Sequence, residues 1–202
     1  MRYVSPALVL VGALILQTPA ANAIPMTFVG NLSGANEVPP VNSPGTGLAT
    51  IILDPTAQTL QVNATFSGLT STDTMAHIHC CAPLGTNAGV ATTVPAFPGF
   101  PLGVTSGTYS SVVFDLTQST IYNPAFVTLE GGLAQAEAAL IAGIEGGQTY
   151  FNIHTVNNPG GEIRSQLFPA PAPAPEPASL VLLGSALVGL GLIRRRKQAA
   201  RS

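Results

Sequence analysis

The chain has 202 residues, of which 46% are hydrophobic and only 8% are charged, and its pI is near 5.8. These values exclude a disordered charged tail, which needs high charge and low hydrophobicity, and a nucleic-acid binder, which needs a basic surface. Between positions 24 and 170 there are eight acidic residues and a single base, Arg164. This region therefore carries a net charge of about −7 with histidine neutral, and the other bases lie beside apolar segments at the two ends, as in exported proteins.

The N-terminal segment has the three regions of a secretory signal peptide. Arg2 precedes an apolar run over 7–16, and the small residues Ala21 and Ala23 form a small-x-small cleavage site. The apolar run is about half of the ~20 residues that span a bilayer, which disfavours the alternative of a short membrane anchor. We predict a signal peptide over 1–23, with the mature chain outside the cytoplasm.

The central residues 24–168 are predicted to form one all-β domain. Apolar and polar residues alternate as half-buried strands require, and turn residues rich in Gly and Pro separate the alternating segments. Seven such segments predict an antiparallel β-sandwich: 27–32, 47–53, 60–66, 75–79, 112–116, 148–155 and 162–168. Residues 133–144 have helical spacing and predict one short helix, whereas 82–107, with four Pro and five Gly, predict a long irregular connection.

All three histidines fall in two of the predicted strands. His77 and His79 project from one strand face because strand side chains alternate, and His154 projects from the polar face of the other strand. Three imidazoles on one surface would suit Zn or Cu. Further candidate ligands are Cys81, Glu37 and Glu162. The alternative is that the histidines bond backbone carbonyls or bridge loops, because the sequence does not show that the two strands are neighbours.

The two cysteines, Cys80 and Cys81, are adjacent in the chain. A cysteine pair in an exported protein usually forms a disulfide, but adjacent residues lie closer together than the usual Cα separation of bridged cysteines. Three interpretations stay open: a vicinal disulfide, two free thiols that join the histidines at a metal, or intermolecular links. A vicinal disulfide or free thiols rank above metal ligation.

The C-terminal segment combines a proline spacer, an apolar helix and a basic cluster. Residues 169–177 read PAPAPAPEP, which favours an extended spacer. A helix over 180–193 would measure only ~21 Å, a marginal span for a ~30 Å hydrocarbon core. The positive-inside rule keeps the cluster Arg194–Lys197 in the cytoplasm and leaves the rest of the chain outside.

The motif Pro175-Glu176-Pro177, the apolar helix and the arginine cluster, in this order, resemble the PEP-CTERM sorting signal of Gram-negative bacteria. In that family an exosortase, a membrane transpeptidase, recognises the Pro-Glu-Pro motif and the tail is removed. The resemblance implies the export machinery and an exosortase as partners, with transient anchoring in the inner membrane through residues 178–202. The alternative is an ordinary C-terminal tail anchor.

Several motifs of the central region follow one another in a fixed order: LSGANEVPP at 32–40, GTGLA at 45–49, FSGL at 66–69, AHIH at 76–79, YFNIHT at 150–155 and PGGEIR at 159–164. Together they resemble the CHRD domain, an extracellular module named after chordin. The resemblance implies an immunoglobulin-like β-sandwich and an extracellular setting, but it implies no activity. Arg164, in the last motif, is expected to pair with a glutamate and hold the final strand.

The sequence lacks the common catalytic motifs. It has no Gly-x-Ser-x-Gly, no His-Glu-x-x-His and no phosphate-binding loop. We therefore expect a non-enzymatic exported CHRD protein, a binding or structural module of the cell envelope or extracellular matrix, with exopolysaccharide or matrix components as partners and no nucleic acid. The alternative is a Cu- or Zn-binding protein or redox enzyme that uses His77, His79 and His154.

Overall fold

The computed structural model describes residues 24–171 and residue 187. The predicted cleavage residues Ala21 and Ala23 and the sorting motif Pro175-Glu176-Pro177 lie outside the described residues. The chain divides into two compact units, Met1–Pro169 and Ala170–Ser202. The fold described below is that of the first unit.

The fold is all-β and antiparallel, as the alternation predicted. The strands are β1 Met26–Ser33, β2 Thr46–Asp54, β3 Thr59–Ser67, β4 Asp73–Cys80, β5 Gly89–Val90, β6 Gly107–Ser110, β7 Phe114–Asp115, β8 Thr149–Thr155, β9 Ile163–Gln166 and β10 Phe168–Pro169. Two helices, α1 Pro124–Glu130 and α2 Leu133–Glu145, separate β7 from β8. The strand order in the sheet is β5-β4-β8-β9-β1-β2-β3-β6, and β10 pairs with β1 while β7 pairs with β3.

Strands β1, β2 and β3 form a regular antiparallel meander. β2 and β3 pair along their whole length, from Thr46 opposite Ser67 to Asp54 opposite Thr59. Every second residue of β3 is buried and the residues between are more exposed. This half of the sheet therefore has one face on the core and one face toward solvent, as the sequence alternation requires.

The two ends of the sheet share a single core. Its buried residues come from β2 and β3 at one end and from β4 and β8 at the other, and they include Ile51, Val62, Ile78, Phe151 and Ile153. Phe100, from the irregular connection, stacks on Phe66 with ring centroids 5.6 Å apart and lies 6.3 Å from Phe151. The sheet thus closes over its core in the sandwich-like arrangement that the sequence predicted.

Helix α2 confirms the predicted helix and packs three residues of one face into the core, Ala136, Leu140 and Ile144. Helix α1 was not predicted. The Asn123 side chain caps it by accepting the Ala125 N–H, and Pro124 occupies its first turn. Among the described residues no single helix is long and apolar enough to cross a membrane, although α1 and α2 together meet that criterion as a pair bent by 94°.

The strand predicted over 112–116 is wrong in extent. Only Phe114–Asp115 pair with β3, and Val112 is 73% exposed. The pairing breaks just before it, because the Val62 N–H donates to the Ser111 side chain instead of to a backbone carbonyl. Apolar alternation does not supply a partner for the backbone, and Val112, which alternation places on the same face as the buried Leu116, stays exposed.

Candidate metal centre

The three histidines come together because β4 and β8 are neighbours in the sheet. In their register Met75 lies opposite His154, and His77 lies opposite Asn152. His154 is therefore diagonal to His77, a separation across which long side chains meet. The candidate ligand nitrogens of His77, His79 and His154 all lie within 4.8 Å of one another. The sequence predicted the faces of these strands, and the register supplies their proximity.

Each imidazole is held by a backbone carbonyl through its Nδ1 atom. The three bonds join His77 to Pro95 at 3.3 Å, His79 to Ala88 at 2.8 Å and His154 to Pro159 at 2.9 Å. A carbonyl oxygen only accepts, so each Nδ1 carries a proton and donates it. A neutral ring in this state presents the lone pair of its Nε2 atom. The expectation that the histidines bond carbonyls therefore holds for Nδ1, and no carbonyl of the described residues bonds Nε2 of the three rings.

Two of the Nε2 atoms face each other, and the third has no hydrogen-bond partner. The Nε2 atoms of His77 and His154 are 2.9 Å apart, and the Nε2 of His79 is buried with no hydrogen-bond partner. Two nitrogen lone pairs at this distance repel each other unless a proton or a metal ion lies between them. A tetrahedral ion with nitrogens at ~2.0 Å would hold its ligands roughly 3.3 Å apart, and the candidate ligand nitrogens here all lie within 4.8 Å of one another.

Burial favours the neutral form of all three rings, which are 1%, 7% and 5% exposed in chain order. Burial lowers the pKa of His77 to about 3, and the neighbouring imidazoles lower it further. Burial likewise lowers the pKa of His79 to about 4 and lowers the pKa of His154. Metal ions bind neutral imidazole, so the rings are in the state that coordination requires near neutral pH.

An aromatic stack supports His79 from its outer side. The Tyr150 ring lies parallel to the His79 ring with centroids 4.5 Å apart, and the Arg164 guanidinium lies 4.4 Å from the Tyr150 centroid. The Tyr150 hydroxyl accepts the Ala88 N–H, and it also donates to the carbonyl that holds His79. Tyr150 was missed in the sequence, although the alternation that selects His154 places it on the same face of β8.

A buried polar layer extends from the histidines to β9. Arg164 pairs with Glu37 at 4.0 Å, so the expected ion pair forms with this glutamate. Burial raises the pKa of Glu37 to about 7, against the opposing effect of Arg164. Neither Glu37 Oε1 nor Asn152 Oδ1 has a hydrogen-bond partner. A Cβ at Gly161 would lie 2.8 Å from each of these oxygens, so only glycine allows the turn before β9 to lie so close to them.

The other candidate ligands lie apart from the histidines. Cys80 and Cys81 form a vicinal disulfide at the end of β4, and a Cβ at Gly143 of α2 would lie 2.5 Å from the Cys80 sulfur. The Glu162 carboxylate accepts hydrogen bonds from Ser43, Thr70 and Thr155. Within the part of the chain that the structure describes, the cluster contains His77, His79 and His154 and no carboxylate or thiol.

The chain matches two family models. The model described as CHRD domain matches residues 28–167, and the model described as PEP-CTERM protein-sorting motif matches residues 173–197. The first match includes all three histidines, and the second includes the Pro-Glu-Pro motif. Neither the comparison with curated proteins nor the comparison with solved structures finds a match.

Proposed function

The chain belongs to the CHRD domain family, and from this premise we propose that its domain is a non-enzymatic binding module that holds one copper or zinc ion on His77, His79 and His154. The protein is exported, and its sorting motif is processed by an exosortase-type system. Before processing, the C-terminal region anchors the chain transiently in the membrane. The proposal concerns what the domain does after export.

The observation that carries this proposal is that candidate ligand nitrogens of three buried histidines lie within 4.8 Å of one another, while each Nδ1 bonds a backbone carbonyl. A purely structural histidine is satisfied when both ring nitrogens have partners. Here the Nε2 of His79 has none, and an unsatisfied buried polar group costs about 1–3 kcal/mol. A bound ion would satisfy His79 and remove the repulsion between His77 and His154 in one step. A carbonyl on the second ring nitrogen is also the usual support of a metal-bound histidine.

The burial of the cluster supports binding rather than turnover. Structural metal sites are closed by protein ligands, whereas catalytic sites keep a position open for water or substrate. None of the three rings is more than 7% exposed. A redox enzyme would need a path by which substrate reaches the ion, and the burial of all three rings disfavours one.

The destination of the mature protein is part of the proposal. We place it in the cell envelope or the extracellular matrix, with matrix components such as exopolysaccharide as its surroundings. The motif match supports sorting but leaves these two destinations open. Fractionation of the host, with Glu176→Ala as the variant that blocks processing, would separate them, because matrix protein leaves with the washed polymer and envelope protein stays with the cells.

Metal analysis of the exported chain tests the binding function. The protein is purified without an affinity tag, beside a His77→Ala/His79→Ala/His154→Ala variant and a Glu145→Gln control that removes one exposed carboxylate of α2. We expect one copper or zinc ion per wild-type and control chain and none in the triple variant, with circular dichroism showing that all three are folded. Substoichiometric metal in the wild type after loading would contradict the proposal. Turnover of a redox substrate that the triple variant lacks would instead favour the enzyme alternative.

A further inference from the structure

Met75 lies on the same face of β4 as two of the histidines. Side chains at positions 75, 77 and 79 share a face because the strand repeats every two residues, and Met75 is directly opposite His154 across the ladder. Residues so paired have Cβ atoms about 4.5–5.5 Å apart. Met75 is therefore a sheet neighbour of both His77 and His154.

The hydrophobic core does not account for Met75. The partly buried apolar side chains that pack against the core include Met26, the other methionine of the described residues, but not Met75. Met75 is itself only half-buried. The β4–β8 register also shifts between Asp73 and Met75, and irregularities of this kind redirect side chains beside functional sites. A half-buried thioether is thus placed beside the histidines, outside the hydrophobic core.

The charge of the site favours a monovalent ion. Three neutral imidazoles leave the full charge of the ion uncompensated, because the cluster contains no carboxylate or thiolate within the described residues. The cost of burying an ion grows with the square of its charge, so Zn²⁺ or Cu²⁺ is far harder to bury here than Cu⁺. Arg164 lies behind the aromatic stack and adds positive charge nearby. Thioether ligands also select Cu(I), because the sulfur and the ion are both soft.

We propose that Met75 is the fourth ligand of the centre and that the ion it selects is Cu(I). This inference rests on the proposed function, since it needs the three histidines to bind a metal. It narrows the bound metal from copper or zinc to copper in its reduced state, Cu(I). The thioether closes the remaining coordination position from the Met75 side of β4.

Competition titrations on the exported full chain test the proposal, with Cu(I) measured against a colorimetric chelator under anaerobic conditions and Zn(II) against a fluorescent one. The variants are Met75→Leu, which keeps the volume and removes the sulfur, and Met26→Leu as the matched control. We expect Met75→Leu to weaken Cu(I) binding by roughly 10-fold or more and to leave Zn(II) binding unchanged. Met26→Leu should alter neither affinity.

X-ray absorption of the Cu(I)-loaded chain supplies a second readout. We expect one sulfur scatterer in the wild type and in Met26→Leu, and none in Met75→Leu. Two results would overturn the role of Met75 and leave the three-histidine site standing. One is that Met75→Leu binds Cu(I) as tightly as the wild type, and the other is that the wild type binds Zn(II) more tightly than Cu(I). Failure of the wild type to bind either ion would overturn the proposed function itself, and with it this inference.

Discussion

The β2–β3 half of the sheet and the β4–β8–β9 half differ in the burial of their second face. This face is partly exposed in the first half and largely buried in the second. In β3 every second residue faces water, whereas every residue of β8 and β9 is buried. Strands buried on both faces are usually apolar throughout, yet the second face of β8 carries Tyr150, Asn152 and His154. Burial of polar groups is costly unless each has a partner, and three atoms of this layer have none: His79 Nε2, Glu37 Oε1 and Asn152 Oδ1. The difference is what the proposed function requires, with the polar face of β8 available for binding and the apolar face packed into the core.

The largest expected effect lies on the apolar face of β8. Phe151→Ala removes a fully buried ring from the shared core, and such truncations cost about 3–5 kcal/mol. Urea unfolding of the variant should show this loss equally with metal and with chelator. A loss below about 1 kcal/mol would mean that the two ends of the sheet do not share one core.

His154→Ala tests the polar face three residues along the same strand. In chelator we expect a small change in the free energy of unfolding, because the substitution also relieves the contact with His77. With free metal at 100 times its Kd, the variant should lack the roughly 2.7 kcal/mol that ligand binding adds to the wild type. Thermal unfolding with and without metal measures the difference. An equal loss in both conditions would assign His154 to packing.

Glu37→Gln tests the buried acid of the polar layer. The folded pKa of Glu37, about 7, lies above its ordinary value of 4.5, so between these values the folded chain holds a proton that the unfolded chain has released. The contribution of Glu37 to stability is therefore fully present below about pH 4.5 and is lost as the pH rises through about 7. We expect the difference between wild type and Glu37→Gln to follow this slope in chelator. Parallel pH profiles of the wild type and Glu37→Gln would instead place Glu37 in contact with water.

The smallest expected effect belongs to the outer face of the meander. Thr65→Val exchanges one β-branched residue for another at an exposed position of β3, and surface changes of this kind stay within about 0.5 kcal/mol. The same urea experiment measures it. A clear destabilisation would show that other parts of the protein pack on this face. The two halves of the sheet would then differ less in the burial of their second face.

Much of the fold could be predicted from the sequence, because the alternation of apolar and polar residues and the turn residues are local signals. They placed β1 to β4, β8 and α2 correctly, and they put His77 and His79 on one face. α1 also had a signal, since Asn123-Pro124 and Gly131 are typical helix boundaries, but its seven residues are too few for helical periodicity to stand out.

The candidate site depends on facts that no local pattern contains. That β4 pairs with β8 and not with another strand is a property of the whole sheet, and the diagonal placement of His77 and His154 follows from that register. Two of the three carbonyl partners, Ala88 and Pro95, lie in the connection over 82–107, for which the sequence predicts only a long irregular segment. Backbone acceptors are present at every residue, so the sequence does not distinguish the ones that orient a ring.

With the proposed ion bound, the three carbonyl bonds would make the centre a removable cross-link between loops. Ala88 and Pro95 pin two points of the connection between β4 and β6, and Pro159 pins the turn between β8 and β9. Rings joined through one ion fix all three points at once and divide a long connection into shorter closed segments. Each halving of a loop lowers its closure entropy cost by only about 0.6 kcal/mol, but the divisions act together. On the proposed function, loading the ion would therefore tie these three loop positions to one another through the histidine rings.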